Sequence, residues 1–277
     1  MQINPQPRLL RTLVPAIALC GLAACGGETE AGAAADEAQP VDAAVEGTPN
    51  TLSAAEQAEG WTLLFDGQDL EGWRGIGTDS IPTAHWVIED GAIHKIPRRQ
   101  VALRPDGQPL AGGDLMTEQT FGDFEFTFEW KVAEGGNSGI KYNVGEEMSM
   151  ANGNAALGFE YQVLDDDRHP DARAGVNGNR TAAGLYDLIA PTAGKPINAP
   201  GEWNQGRIVF RGNHGEHWLN GQKVVEYDLG SAPMDSALAA SKYAPIAGFA
   251  DRRTGHIVLQ DHNDAAWFRN LKVRPLN

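Results

Sequence analysis

Phe124-Glu125-Phe126-Thr127-Phe128-Glu129-Trp130-Lys131-Val132 alternates apolar and polar residues without a break. A period of two is that of a strand with one face on a core, because successive side chains point to opposite faces of a sheet. A helix would wind these apolar residues around its whole circumference and bury none of them well. Phe124, Phe126, Phe128, Trp130 and Val132 are therefore expected in a core, with Glu125, Thr127, Glu129 and Lys131 facing away.

The same signal recurs on either side. Asp90-Gly91 separates Trp86-Val87-Ile88 from Ala92-Ile93-His94, and Asn220-Gly221 separates His217-Trp218-Leu219 from Lys223-Val224-Val225. Both read as two-residue hairpin turns, which need positive φ and favour Asn-Gly or Asp-Gly. Further strands are expected near 138–144, 157–164, 206–211, 256–262 and 267–274, and most of the 33 glycines and 16 prolines fall between these runs. Residues 51–59 read as a short helix with Ser53 as N-cap. Beyond Trp61 no helical pattern of any length and no internal repeat is evident. The expected class is all-β, two packed antiparallel sheets. Asp165 to Ala199 lacks periodicity, and a loop that long in a compact domain is usually functional.

The N-terminus reads differently. Residues 1–11 are polar, with Arg8 and Arg11 as their charges, and an apolar run follows from Leu13 to Ala24, broken by Pro15 and Gly21. That run is too short to span a bilayer and suits a signal-peptide core. It ends in Leu22-Ala23-Ala24-Cys25, which resembles a bacterial lipobox and implies that Cys25 is lipidated. Gly26 in place of Asp suggests no inner-membrane retention in a Gram-negative host. The expected organisation is a signal peptide over 1–24, a lipidated Cys and disordered acidic tether over 25–59, and a β domain over 60–277. The expected location is the cell envelope, periplasm-facing or anchored to the outer membrane, touching the membrane only through the lipid. Cys20 leaves with the signal peptide, so the mature domain has no disulfide and no thiol nucleophile. The formal charge is −15, and it becomes −17 (20 − 37) once Arg8 and Arg11 are removed. So acidic a chain disfavours nucleic acid, whose binding depends on basic phosphate contacts.

Alternation also assigns the faces. Ile140, Tyr142 and Val144, then Phe159, Tyr161 and Val163, then Ile257 and Leu259 are expected inside. Lys141 and Asn143, Glu160 and Gln162, and His256, Val258, Gln260 and His262 are expected outside. If these strands share a sheet with 124–132, its open face carries Glu129, Lys141, Glu160, Gln162, Gln260 and His262. Acids, a base, a cation and amides together suit a polyhydroxylated ligand. A solvated face would also alternate, but Gln162 and Gln260 bring paired donors and acceptors where it would more often carry Lys or Glu.

The motifs, taken in order, resemble a known family. Leu64-Phe65-Asp66-Gly67-Gln68-Asp69-Leu70-Glu71-Gly72-Trp73 opens the series, and Asn137-Ser138-Gly139-Ile140 and Gly158-Phe159-Glu160-Tyr161-Gln162-Val163-Leu164-Asp165 follow. Gly201-Glu202-Trp203-Asn204, Leu219-Asn220-Gly221, Leu259-Gln260-Asp261-His262 and Phe268-Arg269-Asn270 complete it. This order resembles the 3-keto-disaccharide hydrolase domain family, and the resemblance implies a concanavalin A-like, glucanase-like jelly-roll sandwich acting on 3-keto-glycosides. It also implies a functional link to a sugar 3-dehydrogenase that makes the keto-sugar. Lys141-Tyr142 after Ile140 and the length of 165–199 depart from the pattern.

A 3-keto group acidifies the C2 proton, so a base can remove it and the enolate can expel the group at C1, with water adding afterwards. The candidates are Glu160 or His262 as base, Lys141 to polarise the C3 oxygen, and the other of Glu160 and His262 as acid. Tyr186 is a further acid if the long loop folds over the face. Gln162, Gln260 and Glu129 would hold hydroxyls, with Asn137 as a further binder and Arg269 structural. No cofactor is firmly implied. A divalent cation held by His262 with Glu160 or Glu129 is a candidate, as is one at His169 beside Asp165, Asp166 and Asp167, though the latter reads more simply as an acidic turn. Two rival readings stand beside this one. A non-catalytic sugar-binding module would need an exposed aromatic platform, for which Trp73, Trp86, Trp218 and Trp267 are available. A laminarinase-type glycosidase carries E-x-D-x-x-E, and Glu160 to Asp165 reads E-x-Q-x-x-D. No G-x-S-x-G motif supports a nucleophilic serine.

Overall fold

The computed structural model describes residues 48–276. The signal peptide, Cys25 and most of the tether lie outside the described residues. The chain runs α1 (Ala54–Ala58), β1 (Thr62–Leu63), β2 (Trp73–Gly75), β3 (Trp86–Glu89), β4 (Ala92–Lys95), β5 (Leu115–Thr117), β6 (Phe124–Val132), β7 (Asn137–Val144), α2 (Glu146–Ala151), β8 (Phe159–Leu164), α3 (Asp171–Ala174), β9 (Asn204–Arg211), β10 (His214–Leu219), β11 (Gln222–Asp228), α4 (Ala232–Ala240), β12 (His256–Leu259) and β13 (Ala266–Pro275). Two antiparallel sheets form a jelly-roll sandwich. The larger has the order β11-β10-β9-β6-β13-β4-β3, with β1 added beside β13, and the smaller has the order β2-β5-β12-β7-β8.

Local chemistry explains the elements. Ser53 and Glu56 close a capping box on α1. Asp90 and Gly91, like Asn220 and Gly221, take positive φ in their hairpins. The inner faces meet as the alternation requires. Phe124, Phe126, Phe128 and Trp130 of β6, with Ile208, Phe210 and Phe268 of the larger sheet, pack on Ile140, Tyr142, Phe159, Tyr161, Ile257 and Leu259 of the smaller.

Three expectations need correction. α2, α3 and α4 are short helices where none was legible. α4, capped by Ser231 with Pro233 in its first turn, buries only Met234, so it has no apolar stripe to read. Val144 is not in the main core. It packs with Ile76, Met116, Ala156 and Val258 in a separate cluster. The reason is a bulge: the β7–β12 register runs from His256↔Val144 to Val258↔Lys141, so β7 carries one extra residue, and Asn143 there has φ 53°. Finally, β6 belongs to the larger sheet, whereas β7, β8 and β12 belong to the smaller. Glu129 therefore stands on the far side of the sandwich from Lys141 and Glu160.

Candidate active site on the smaller sheet

The outer face of the smaller sheet has two halves. The apolar half, Met116, Val144 and Val258, is covered by Ala156 and Ile76. The polar half carries Asn137, Lys141, Glu160, Gln162 and Gln260, with His262 just beyond β12. The chain from Gly145 to Gly158 leaves β7, covers the apolar half and returns to β8. Arg74 pairs with Glu146 to hold its start, and the Asp114 Oδ2 accepts the Ala156 N–H at 3.1 Å.

Glu160 is the buried centre of the polar half. Its partner across the ladder is Lys141, whose Nζ donates to the Ala156 carbonyl at 3.0 Å and lies 3.8 Å from Glu160 Oε2. Glu160 is 2% exposed. Burial raises its pKa above the usual carboxylate range, against the pull of Lys141 and Lys242. A carboxylate so held is a stronger base than one in water. Gly139 of the Asn-Ser-Gly-Ile motif makes room for it, because a Cβ there would come within 2.3 Å of Glu160 Oε1.

Around this centre, Gln162 Nε2 donates to Asn137 Oδ1 at 3.4 Å, and Asn137 Nδ2 reaches His262 Nε2 at 3.5 Å. Glu160 Oε2, Gln162 Oε1, Gln260 Oε1 and His262 Nδ1 are all buried atoms with no hydrogen-bond partner in the protein. Buried polar groups are ordinarily paired, so four such atoms in one region leave hydrogen-bonding capacity for water or a polar ligand.

The long segment from Asp165 to Ala199 runs beside β8. Its residues 183–186 extend the sheet along the free edge of β8: the Ala183 N–H donates to Gln162 O at 2.8 Å and the Tyr186 N–H to Glu160 O at 3.0 Å. Tyr186 thus stands beside Glu160 at the edge. Its hydroxyl donates to Asp171 Oδ2 at 2.8 Å, and burial together with Asp171 pushes its pKa up, which makes it a poor proton donor. Lys242, on the connection between α4 and β12, has its Nζ 4.1 Å from the Tyr186 ring centroid. Its pKa is lowered by burial, and Glu160 opposes that shift. Sequence reasoning missed Lys242, since nothing in residues 241–255 repeats at a strand or helix period.

Glu129 is occupied elsewhere. It accepts from Arg269 Nε at 2.6 Å and Asn270 Nδ2 at 2.9 Å, a clasp on the bulge of β13. That also gives Arg269 the structural part expected of it. Asp165 accepts backbone N–H groups of Gly135, Asp167 and Arg168 at 2.7, 3.1 and 3.3 Å. It closes a turn and does not join Glu160 as a second catalytic acid, so the glucanase-like spacing is not matched in geometry.

Glu129 takes no part in a cation site with His262, since it is on the other sheet, and Asp165 is engaged in its turn and unavailable beside His169. His169, His262 and Asp264 do converge, with ligand atoms within 4.8 Å of one another. However, His169 Nδ1 accepts the Asp171 N–H at 3.2 Å, which puts the proton of the neutral ring on Nε2, facing Asp264. A metal-bound histidine donates from its second nitrogen instead, so this trio fits a hydrogen-bonded cluster better than a metal centre.

The tryptophans do not build a platform either. Trp73 and Trp86 are in the core. Trp267 lies on the larger sheet, stacked on His94 with centroids 4.4 Å apart, and Lys131 Nζ lies 4.6 Å from its ring and 4.9 Å from Trp203. Trp218 has Arg207 over its ring at 4.8 Å. These ring faces are taken up by neighbouring side chains.

The chain is similar to known proteins over most of its length. Residues 60–274 match the family described as a 3-keto-alpha-glucoside-1,2-lyase-like domain. A 3-keto-disaccharide hydrolase of Bacteroides thetaiotaomicron is 38% identical over 283 residues, covering 92% of this chain and 94% of that protein. A crystal structure from Parabacteroides distasonis ATCC 8503, assigned as a glycosyl hydrolase, superposes with a TM-score of 0.71 at 30% identity and covers 83% of this chain and 100% of its own. A second structure from that organism, at 24% identity and a TM-score of 0.57, shares the fold.

Proposed function

The chain belongs to the 3-keto-alpha-glucoside-1,2-lyase-like family, and from that premise we propose that it is a carbohydrate-cleaving enzyme that breaks the glycosidic bond of 3-keto-glycosides. The observation that carries this reading is the group of buried polar atoms around Glu160 that make no hydrogen bond within the protein. Glu160 takes the C2 proton, with a basicity raised by burial. Lys141, 3.8 Å from that carboxylate, hydrogen-bonds the C3 oxygen as negative charge develops there. Lys242 adds positive charge from the sheet edge. His262 gives a proton to the departing oxygen at C1. Gln162, Gln260 and Asn137 hold hydroxyls. Water then adds to the unsaturated product, so the net reaction is hydrolysis. This route needs one base and one acid, not the spaced carboxylate pair of ordinary glycosidases.

The test is product analysis by NMR in D₂O with a 3-keto-disaccharide and with its unoxidised parent. Cleavage of the keto-sugar alone, with deuterium at C2, is expected. Glu160→Gln should lower kcat by about 10²–10⁴-fold, the usual worth of a general base. Equal cleavage of the parent sugar, or a Glu160→Gln enzyme with normal kcat, would refute the proposal. We also propose envelope anchoring through Cys25. Metabolic labelling with a fatty acid should mark the chain and not its Cys25→Ala variant.

A further inference from the structure

Two connections hold the groups around Glu160, and one buried carboxylate joins them. The first is the chain from Gly145 to Gly158, whose Ala156 carbonyl accepts a hydrogen bond from Lys141 Nζ at 3.0 Å. The second is the chain beyond β12, where Gln260 and His262 flank Asp261. Asp114, just ahead of β5, reaches both. Its Oδ2 accepts the Ala156 N–H at 3.1 Å and its Oδ1 the Asp261 N–H at 2.8 Å. Asp114 and Lys141 thus hold the same residue, one through its N–H and the other through its carbonyl. Asp114 is buried, and a hydrogen bond from a backbone N–H to a carboxylate is among the stronger ones.

Asp114 is itself fixed by the same neighbourhood. Asp261 Oδ1 is 2.9 Å from the fully buried Lys95 Nζ, and its Oδ2 accepts the Gly113 N–H at 3.2 Å. His85 spans the two parts, with Nδ1 2.7 Å from Asp261 Oδ2 and Nε2 2.9 Å from the Leu110 carbonyl. Gly112 lies so close that a Cβ there would stand 2.2 Å from His85 Nδ1 and 2.6 Å from Asp261 Oδ2. Residues 109–114 and 153–155 form walls of a cleft of about 430 Å³, which Lys141 and Gln260 also line.

The charge of Asp114 also acts on Glu160. Burial is the main cause of the raised Glu160 pKa, and Asp114 adds to it while Lys141, Lys242 and His262 pull the other way. The Tyr186 and Tyr243 hydroxyls also feel the Glu160 charge, and burial first of all keeps both protonated. We propose that Asp114 is a positioning residue of the reaction, which sets Lys141 and the Gln260–His262 stretch against Glu160 from outside the sugar site. This role rests on the 3-keto-glycoside reading above.

Asp114→Asn keeps the size and one acceptor, but it turns an NH₂ group towards one of the two backbone N–H donors and removes the charge. The full chain and its variants are assayed on a 3-keto-disaccharide across pH. In Asp114→Asn, kcat is expected to fall about 10- to 100-fold, as a misplacement of about 1 Å costs, with KM changed by less than about threefold. The acid limb of kcat/KM, which reports the base of the free enzyme, is expected to move to lower pH, because Glu160 ionises more readily without that anion nearby. Lost stability alone would do neither. Gly206→Ala, on the larger sheet, is the control and should keep the parent's kcat and limb. Asp114→Glu retains the charge but displaces both hydrogen bonds, so it should lower kcat and leave the limb in place, and it is read instead if Asp114→Asn does not fold. A kcat within about twofold of the parent's in the variant read, or an unmoved limb in a folded Asp114→Asn, overturns the proposal and leaves the activity standing. If the parent cleaves no keto-sugar, the functional reading fails and the positioning role with it.

Discussion

Replacing Lys141 by Met removes the cation facing Glu160 and keeps a side chain of similar length. Lys141 and Glu160 are both buried, with Nζ and Oε2 3.8 Å apart. At an effective dielectric of ~20, a pair at that separation interacts by about 4 kcal/mol. Stranding one partner of a buried pair costs about 3–5 kcal/mol. The hydrogen bond from Lys141 to the Ala156 carbonyl adds about 1 kcal/mol. Lys141→Met should therefore destabilise the protein by about 3–5 kcal/mol when Glu160 is ionised. In a Glu160→Gln background no anion is stranded, so the same substitution should cost no more than about 1–2 kcal/mol. The pH dependence has a definite sign. The folded-state pKa of Glu160 is raised, so its contribution is fully favourable below the unfolded value and is lost as pH rises through the folded value. Lys141→Met enlarges that loss, so its cost should grow with pH. Urea unfolding of the four proteins of the cycle, at two pH values, measures both quantities. Equal costs of Lys141→Met in the two backgrounds would show that Lys141 and Glu160 do not interact, and would remove the basis for assigning them one site.

Two further outcomes follow from the core. His217 is fully buried between Tyr142 Oη at 2.9 Å and the Ala183 carbonyl at 3.0 Å, and burial pushes its pKa down to about 4 from 6.5. Stability from keeping it neutral is present above pH 6.5 and lost as pH falls towards 4, a total of about 3 kcal/mol. The gap between parent and His217→Gln in urea denaturation should narrow by about that much over this window, and a pH-independent gap would contradict it. Gly206→Ala should cost about 1–3 kcal/mol by overpacking, since its Cβ would sit 2.1 Å from the buried Phe128 ring. Thermal denaturation reads this directly, and an unchanged Tm would mean that β6 and β9 leave room for the added methyl group.

The sequence by itself determined the strands and their inner faces. Strict alternation in 124–132 and the two hairpin turns act locally, through side-chain direction and allowed φ, and need no distant partner. It also determined which residues of β7, β8 and β12 look outward together, so Lys141, Glu160, Gln162 and Gln260 were legible as one set. Which sheet each strand joins was not legible, because pairing is settled by contacts far apart in sequence. Glu129 obeys the same alternation as Glu160 and still ends on the opposite side of the sandwich, clasped by Arg269. The extra residue at Asn143 turned Val144 out of the main core, since one bulge reverses every face beyond it. Lys242 and the walls of the cleft come from connections without a period. Only the tertiary structure places them, through long-range contacts such as Lys242 on Tyr186 and His85 on Asp261, whose strength depends on burial that no local pattern encodes.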